Sequence, residues 1–128
     1  LTHRLNLSDA ILIKENHLIG TTITAALKKA EKQRKKVRFI EIEVENEKQA
    51  LEASLWPHPL TIMLDNFTPS QIRKTLAKIP ATDRKRHQFE ASGGITTKNL
   101  SKYPGIDLIS MSSLTNGVKS LDMSLRIL

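Results

Sequence analysis

A repeated pairing of unlike segments most constrains how this chain can fold. A short apolar run ends in polar residues, and a helix-like stretch follows it. Ala10-Ile11-Leu12-Ile13 reads as a buried strand that stops at Lys14. Residues 21–36 then carry Ala25, Ala26, Leu27 and Ala30 on one side and lysines on the other, with Gly20 and Thr21 as start signals. Residues 37–44 form a second strand rich in β-branched side chains, and Asn46 is placed to cap a short helix containing Ala50, Leu51 and Ala53. Leu60-Thr61-Ile62-Met63-Leu64 is the third strand and ends at Asp65. Thr68-Pro69-Ser70-Gln71 opens a helix with an N-cap, a proline at the first position and a glutamine at the third, and Ile72, Leu76 and Ile79 give its apolar face. Gln88-Phe89-Glu90-Ala91 is the fourth strand, residues 96–103 a short helix, residues 106–111 the fifth strand, and residues 121–128 an extended tail. The fold class expected from this alternation is α/β, a parallel sheet covered by helices, with no point at which to divide the chain.

Composition narrows the chemistry. The chain has 128 residues, the size of one ordinary domain, with hydrophobic content at 39% and charged residues at 26%, both near the globular average. It has no cysteine, which removes disulfide scaffolds, thiolate metal sites and cysteine nucleophiles. No apolar run approaches a membrane span, and a cytoplasmic location is expected. The net charge of +7 favours anionic partners. Much of it lies in Lys28, Lys29, Lys32, Arg34, Lys35 and Lys36, and in Arg84-Lys85-Arg86, which read as a solvated helix face and a solvated loop. With three Phe, one Trp and one Tyr, none interleaved with these runs, a stacking platform for nucleic acid is poorly supported.

In β/α architectures the reactive groups sit at the C-terminal ends of the strands. Those positions hold Lys14, Glu43, Asp65, Ser92-Gly93-Gly94 and Ser112-Ser113. A cation, two carboxylates and a glycine-rich turn suit a phosphorylated substrate with a divalent metal. Each also has a plainer reading. Lys14 can be a solvated strand end, and Asp65-Asn66 can be a turn leading into the next helix. Glu41, Glu43 and Glu45 share one strand face, which in a barrel becomes the polar lumen, opposite Lys14 and Arg4. His3 and His17 match no metal-ligand spacing, and His58 and His87 fall in expected loops.

The residues also carry a resemblance. The stretch His3-Arg4-Leu5-Asn6-Leu7-Ser8-Asp9-Ala10-Ile11-Leu12-Ile13-Lys14-Glu15-Asn16-His17-Leu18 resembles the signature of the quinolinate phosphoribosyltransferase family. Ile42-Glu43-Val44-Glu45-Asn46, Ile62-Met63-Leu64-Asp65-Asn66-Phe67 and Glu90-Ala91-Ser92-Gly93-Gly94-Ile95 follow in order, and the stretch from Leu114-Thr115 through Leu121-Asp122-Met123-Ser124-Leu125-Arg126-Ile127 resembles its C-terminal block.

The resemblance implies that these parallel β/α units form the later part of an incomplete β/α barrel, with the family's N-terminal α/β domain absent from residues 1–128. It implies transfer of phosphoribosyl from phosphoribosyl pyrophosphate to quinolinate with decarboxylation, giving nicotinate mononucleotide, pyrophosphate and carbon dioxide in NAD biosynthesis. Mg²⁺ is the expected cofactor, and a homodimer or larger homo-oligomer the expected assembly, with no membrane and no nucleic acid as partner. Lys14, Glu43 and Asp65 are the expected catalytic residues. Arg4 and Lys14 would bind the quinolinate carboxylates with His3 beside them, Glu43 and Asp65 the ribose hydroxyls and the metal, and Ser92, Gly93, Gly94, Met111, Ser112 and Ser113 phosphate. The family has Gly-Ala where this chain has Ser112-Ser113, and His where it has Asn116. Because family members are considerably longer, the 128 residues are expected to be a piece of a larger chain, or completed by a partner, and inactive alone. The rival readings are a relative acting on another anionic aromatic acid, the related molybdenum-transport-associated protein, and a basic nucleic-acid-binding protein.

Overall fold

The computed structural model describes residues 10–111. Five strands, β1 (Ala10–Ile13), β2 (Phe39–Val44), β3 (Thr61–Asp65), β4 (Gln88–Ser92) and β5 (Leu108–Ile109), form one sheet in the order β1-β2-β3-β4-β5. Every pairing is parallel. Sequential order with parallel pairing is the winding of a β/α barrel, and over the described residues the sheet is open.

The register divides the sheet into two unlike faces. Ile13, Ile42, Ile62 and Phe89 lie side by side across four strands, as do Val44, Leu64, Ala91 and Ile109 across the other four-strand row. This apolar face joins one core cluster with Ile23, Leu27 and Ala30 of α1 (Ile23–Glu31), Ala50 and Ala53 of α2 (Glu47–Ser54) and Ile72 of α3 (Pro69–Lys78). The alternate positions Glu41, Glu43, Thr61, Met63, Asp65, Gln88, Glu90 and Ser92 occupy the opposite face. Near-continuous apolar runs are not needed here because helices cover only one side.

Local chemistry sets the helix starts. Thr22 Oγ1 accepts from the Ala25 N–H at 3.1 Å, so α1 begins at Ile23, two residues later than the sequence indicates. Its regular turns end at Glu31, and a short 3-10 turn, Arg34–Lys36, carries the rest of the basic run, which has no apolar stripe to hold it on the sheet. Asn46 Oδ1 accepts from the Gln49 N–H at 3.0 Å, the cap expected for α2. In α3 the Thr68–Gln71 capping box is complete: Gln71 N–H donates to Thr68 Oγ1 at 3.2 Å, and Thr68 N–H to Gln71 Oε1 at 2.8 Å.

Three expectations need correction. A fourth helix, α4 (Ala81–Arg86), precedes β4 where the sequence suggested a loop. Its Arg86 pairs with Asp83 at 2.6 Å, and Arg84 lies 4.3 Å from the centroid of the Phe89 ring, so the Arg84-Lys85-Arg86 run is partly engaged rather than wholly solvated. Residues 96–103 form turns with only a 3-10 segment, Leu100–Lys102, because Asn99 folds back to accept from the Thr96 N–H at 2.8 Å and donate to the Gly94 carbonyl at 3.0 Å. His87 lies in the bend between α4 and β4, a connecting position as expected, yet it is buried there: its Nδ1 accepts from the Leu60 N–H at 3.2 Å and its Nε2 lies 2.9 Å from the Ser54 carbonyl. Accepting at Nδ1 fixes the neutral tautomer with the proton on Nε2, and burial holds the ring's pKa below its ordinary value. The fifth strand is shorter than expected, and the tail at 121–128 lies outside the described residues.

Candidate active site

Parallel pairing sends the C-terminal ends of all five strands to one rim. Lys14, Glu43, Asp65, Ser92 and Gly93 therefore meet there, as the sequence indicated. Extending the Ile13–Ile42 register by one step sets Lys14 beside Glu43. Lys14 is half-buried and is followed at once by a 3-10 turn, Glu15–Leu18. His17 closes that turn: its Nδ1 accepts from the Lys14 N–H at 3.1 Å, and its own N–H donates to the Lys14 carbonyl at 2.9 Å. The backbone of Lys14 is thereby fixed while its ammonium keeps its reach.

Asp65 and Ser92 are register partners at the ends of β3 and β4, and Ser92 Oγ donates to Asp65 Oδ1 at 2.8 Å. Asn66 Nδ2 donates to Asp65 Oδ2 at 3.0 Å, so both carboxylate oxygens are oriented by neighbours. Asn66 adopts φ 56°, a left-handed conformation that asparagine tolerates, and its N–H donates to the Ser92 carbonyl at 2.9 Å. That closeness explains Gly93. Its φ is 85°, and a Cβ there would collide with the Asn66 carboxamide and come within 3.1 Å of the Asn66 nitrogen. Gly94 differs: it has φ 67°, is exposed, and a Cβ would meet nothing within 4 Å. Its peptide is open to close approach by an anion. Ile95, 2% exposed, anchors the far end of this loop in the core.

Two further carboxylates join the rim. Glu45 is hydrogen-bonded to Glu15, which is the main cause of its raised pKa; local desolvation and the charges of Glu15, Asp65 and Glu43 add to it. Glu15, Glu43, Glu45 and Asp65 thus crowd negative charge onto one end of the sheet. An oxygen-only, anionic donor set suits a hard divalent cation such as Mg²⁺. Among the described residues no group of three or more His, Asp or Glu side chains is arranged to hold a metal by itself. Mg²⁺ sites need no such cage, since one or two carboxylates with substrate phosphates and water suffice.

Glu45 was legible from its two-residue spacing to Glu43. Glu15 was not, because it sits in a turn with no strand periodicity. Glu90 also belongs to the polar face and is 2% exposed; its spacing of two from Ser92 was the available signal. Met111 is half-buried just beyond Ser110, whose N–H pairs with the Ala91 carbonyl at 2.9 Å. His3, Arg4, Ser112 and Ser113, along with Asn116, lie outside the described residues.

Comparison with known proteins places this geometry in context. The family model for the quinolinate phosphoribosyl transferase C-terminal domain matches residues 1–126. The probable nicotinate-nucleotide pyrophosphorylase (carboxylating) of Methanocaldococcus jannaschii is 41% identical over 131 residues, covering 98% of this chain and 46% of its own length. The nicotinate-nucleotide pyrophosphorylase (carboxylating) of Dictyostelium discoideum is 38% identical, covering 98% of this chain and 42% of its own length. Among solved structures, NadC from Streptococcus pyogenes superposes with a TM-score of 0.74 at 37% identity, covering 94% of this chain and 41% of that one. The nicotinate-nucleotide pyrophosphorylase of Francisella tularensis gives a TM-score of 0.76 at 32% identity, covering 91% of this chain and 41% of that one. The chain spans less than half the length of these relatives.

Proposed function

This chain belongs to the quinolinate phosphoribosyl transferase C-terminal domain family, and from that footing we propose that it carries the phosphoribosyl-transfer site of a carboxylating nicotinate-nucleotide pyrophosphorylase. The substrates are quinolinate and phosphoribosyl pyrophosphate, and the products nicotinate mononucleotide, pyrophosphate and carbon dioxide. The observation that supports this reading most is the meeting of Lys14, Glu43, the Asp65–Ser92 pair and the Gly93-Gly94 loop on one rim.

The reaction breaks the bond between C1 of the ribose and the pyrophosphate oxygen through a transition state with oxocarbenium character. The pyridine nitrogen of quinolinate supplies the electron pair for the new C1–N bond. Lys14, with Arg4, holds the two ring carboxylates and so aims that nitrogen at C1. Arg4 suits a bidentate contact, Lys14 a point charge. Glu43 and Asp65 hold the ribose hydroxyls, and their negative charge favours the sugar as it becomes cationic. Ser92 is fixed by Asp65, and with the exposed Gly94 peptide and the segment after β5 it receives phosphate. Mg²⁺, held by Glu43 and Asp65 with the phosphates, would supply positive charge to the leaving pyrophosphate. Carbon dioxide then leaves from the ring carbon next to the nitrogen, the electrons of that bond stay on this carbon beside the cationic nitrogen, and a proton from water takes the place of the carboxylate. No general base is required.

The same reading makes the working enzyme a cytoplasmic homodimer or larger homo-oligomer. Among the described residues no helix is long and apolar enough to cross a membrane. The test is direct: the protein at its full native length is incubated with quinolinate, phosphoribosyl pyrophosphate and Mg²⁺. Formation of nicotinate mononucleotide with equal release of carbon dioxide supports the assignment. Turnover of a monocarboxylate pyridine in preference to quinolinate would move the activity to another anionic aromatic acid.

A further inference from the structure

Glu90, like Glu41, is a buried carboxylate on the polar face for which no role has been given. It lies on β4 between Met63 of β3 and Leu108 of β5, two residues below Ser92. Glu90 is 2% exposed. Ser110 Oγ, two residues up the adjacent strand's path, donates to Glu90 Oε1. The other oxygen, Oε2, is buried with no hydrogen-bond partner. Ser110 is therefore the sole described donor on a buried carboxylate. Releasing it would leave that group bare away from water, which is far less favourable than losing an exposed hydrogen bond.

A contact of that kind behaves as a latch. It holds Ser110, and with it Met111, at the height of Ser92 on the rim. A second hold is the Ser110 N–H on the Ala91 carbonyl at 2.9 Å. The Asp65–Ser92 pair does the same between β3 and β4, one strand earlier. We propose that Glu90 is a positioning residue, which fixes Ser110, and with it Met111, at the rim where the phosphoribosyl substrate is received. This rests on the phosphoribosyl-transfer reading above and deepens it, since it adds a residue that acts on the phosphoribosyl end of the site through another.

The test uses the full-length enzyme and the variants Glu90→Ala, Glu90→Gln, Ser110→Ala and the Glu90→Ala/Ser110→Ala double variant. Steady-state constants are measured in both substrates, and quinolinate affinity by calorimetry. Glu90→Ala should raise the KM for phosphoribosyl pyrophosphate by roughly tenfold or more, the scale of one lost charge-assisted hydrogen bond, with quinolinate affinity little changed. Ser110→Ala should move the same constant in the same direction, and the double variant should be no worse than Glu90→Ala, because both remove one contact. Glu90→Gln should recover most of the loss, since its amide oxygen accepts from Ser110. Additive losses, an equal rise in both KM values, or parent-like constants in Ser110→Ala would overturn the latch. Should Glu90→Ala fail to fold, Ser110→Ala and Glu90→Gln decide by the same criteria. A parent enzyme without turnover removes the reading on which the latch rests; an active parent with unaffected variants removes the latch alone.

Discussion

Ser92 donates a 2.8 Å hydrogen bond to Asp65 across the ends of two parallel strands, which joins the two loops that carry the centre of the rim. The bond orients Asp65 and holds the start of the Gly93-Gly94 turn. Ser92→Ala should cost about 0.5–1.5 kcal/mol of stability, the usual net worth of such a bond. It should also weaken use of phosphoribosyl pyrophosphate, because Asp65 loses one of its two orienting donors. Urea denaturation and steady-state kinetics check the two effects separately.

The two glycines after β4 should respond differently to alanine. Both pay for a left-handed backbone, by about 1–2 kcal/mol. Gly93→Ala also drives a methyl group into the Asn66 side chain, whereas Gly94→Ala meets open space. Gly93→Ala should therefore be the more destabilising by at least about 1 kcal/mol in equilibrium denaturation. Equal losses would mean that the loop relaxes away from Asn66.

His87 gives a pH dependence of known sign. Its folded pKa lies below the ordinary value of 6.5, with burial as the main cause, so the unfolded chain binds the extra proton first. Its contribution to stability is complete above the unfolded pKa and is lost as pH falls below it towards the folded pKa. The slope from this one group is at most about 1.4 kcal/mol per pH unit. His87→Gln should flatten that part of the stability curve on the acid side of neutrality, measured by urea denaturation at a series of pH values. An unchanged slope would assign the acid sensitivity elsewhere.

Thr68→Ala should cost about 0.5–2 kcal/mol, because it removes the hydroxyl that accepts from the Gln71 N–H at the start of α3. Thr68→Ser, which keeps that hydroxyl, should retain most of the stability in thermal denaturation.

Sequence periodicity made the five strands, the first three helices and the rim legible for physical reasons. Apolar runs such as Leu60 to Leu64 ended abruptly in Asp65, and the capping chemistry at Asn46 and Thr68 marked helix starts within a residue. What stayed hidden depended on contacts distant in the chain. The α4 segment is short and charged, with no buried residue to give it a period. His87 is buried because β4 brings it against Leu60 and Ser54, 27 and 33 residues away. The pairing of Glu15 with Glu45 and of Glu90 with Ser110 also required the register of neighbouring strands. Lys14, Glu43, Asp65 and Ser92 were legible because a parallel sheet sends every strand end to the same side.

The most direct measurement of the proposed division of the rim sets Lys14→Ala beside Asp65→Ala in the full-length enzyme. Quinolinate affinity is measured by calorimetry, and turnover with both substrates by product formation. Lys14→Ala removes a charge-assisted contact worth about 1.5–3 kcal/mol and should weaken quinolinate binding by roughly one to two orders of magnitude, as should Arg4→Ala. Asp65→Ala should bind quinolinate as the parent does and lose turnover or use of phosphoribosyl pyrophosphate instead. Parent-like quinolinate binding in Lys14→Ala and Arg4→Ala, or weakened quinolinate binding in Asp65→Ala with phosphoribosyl pyrophosphate use intact, would contradict the assignment.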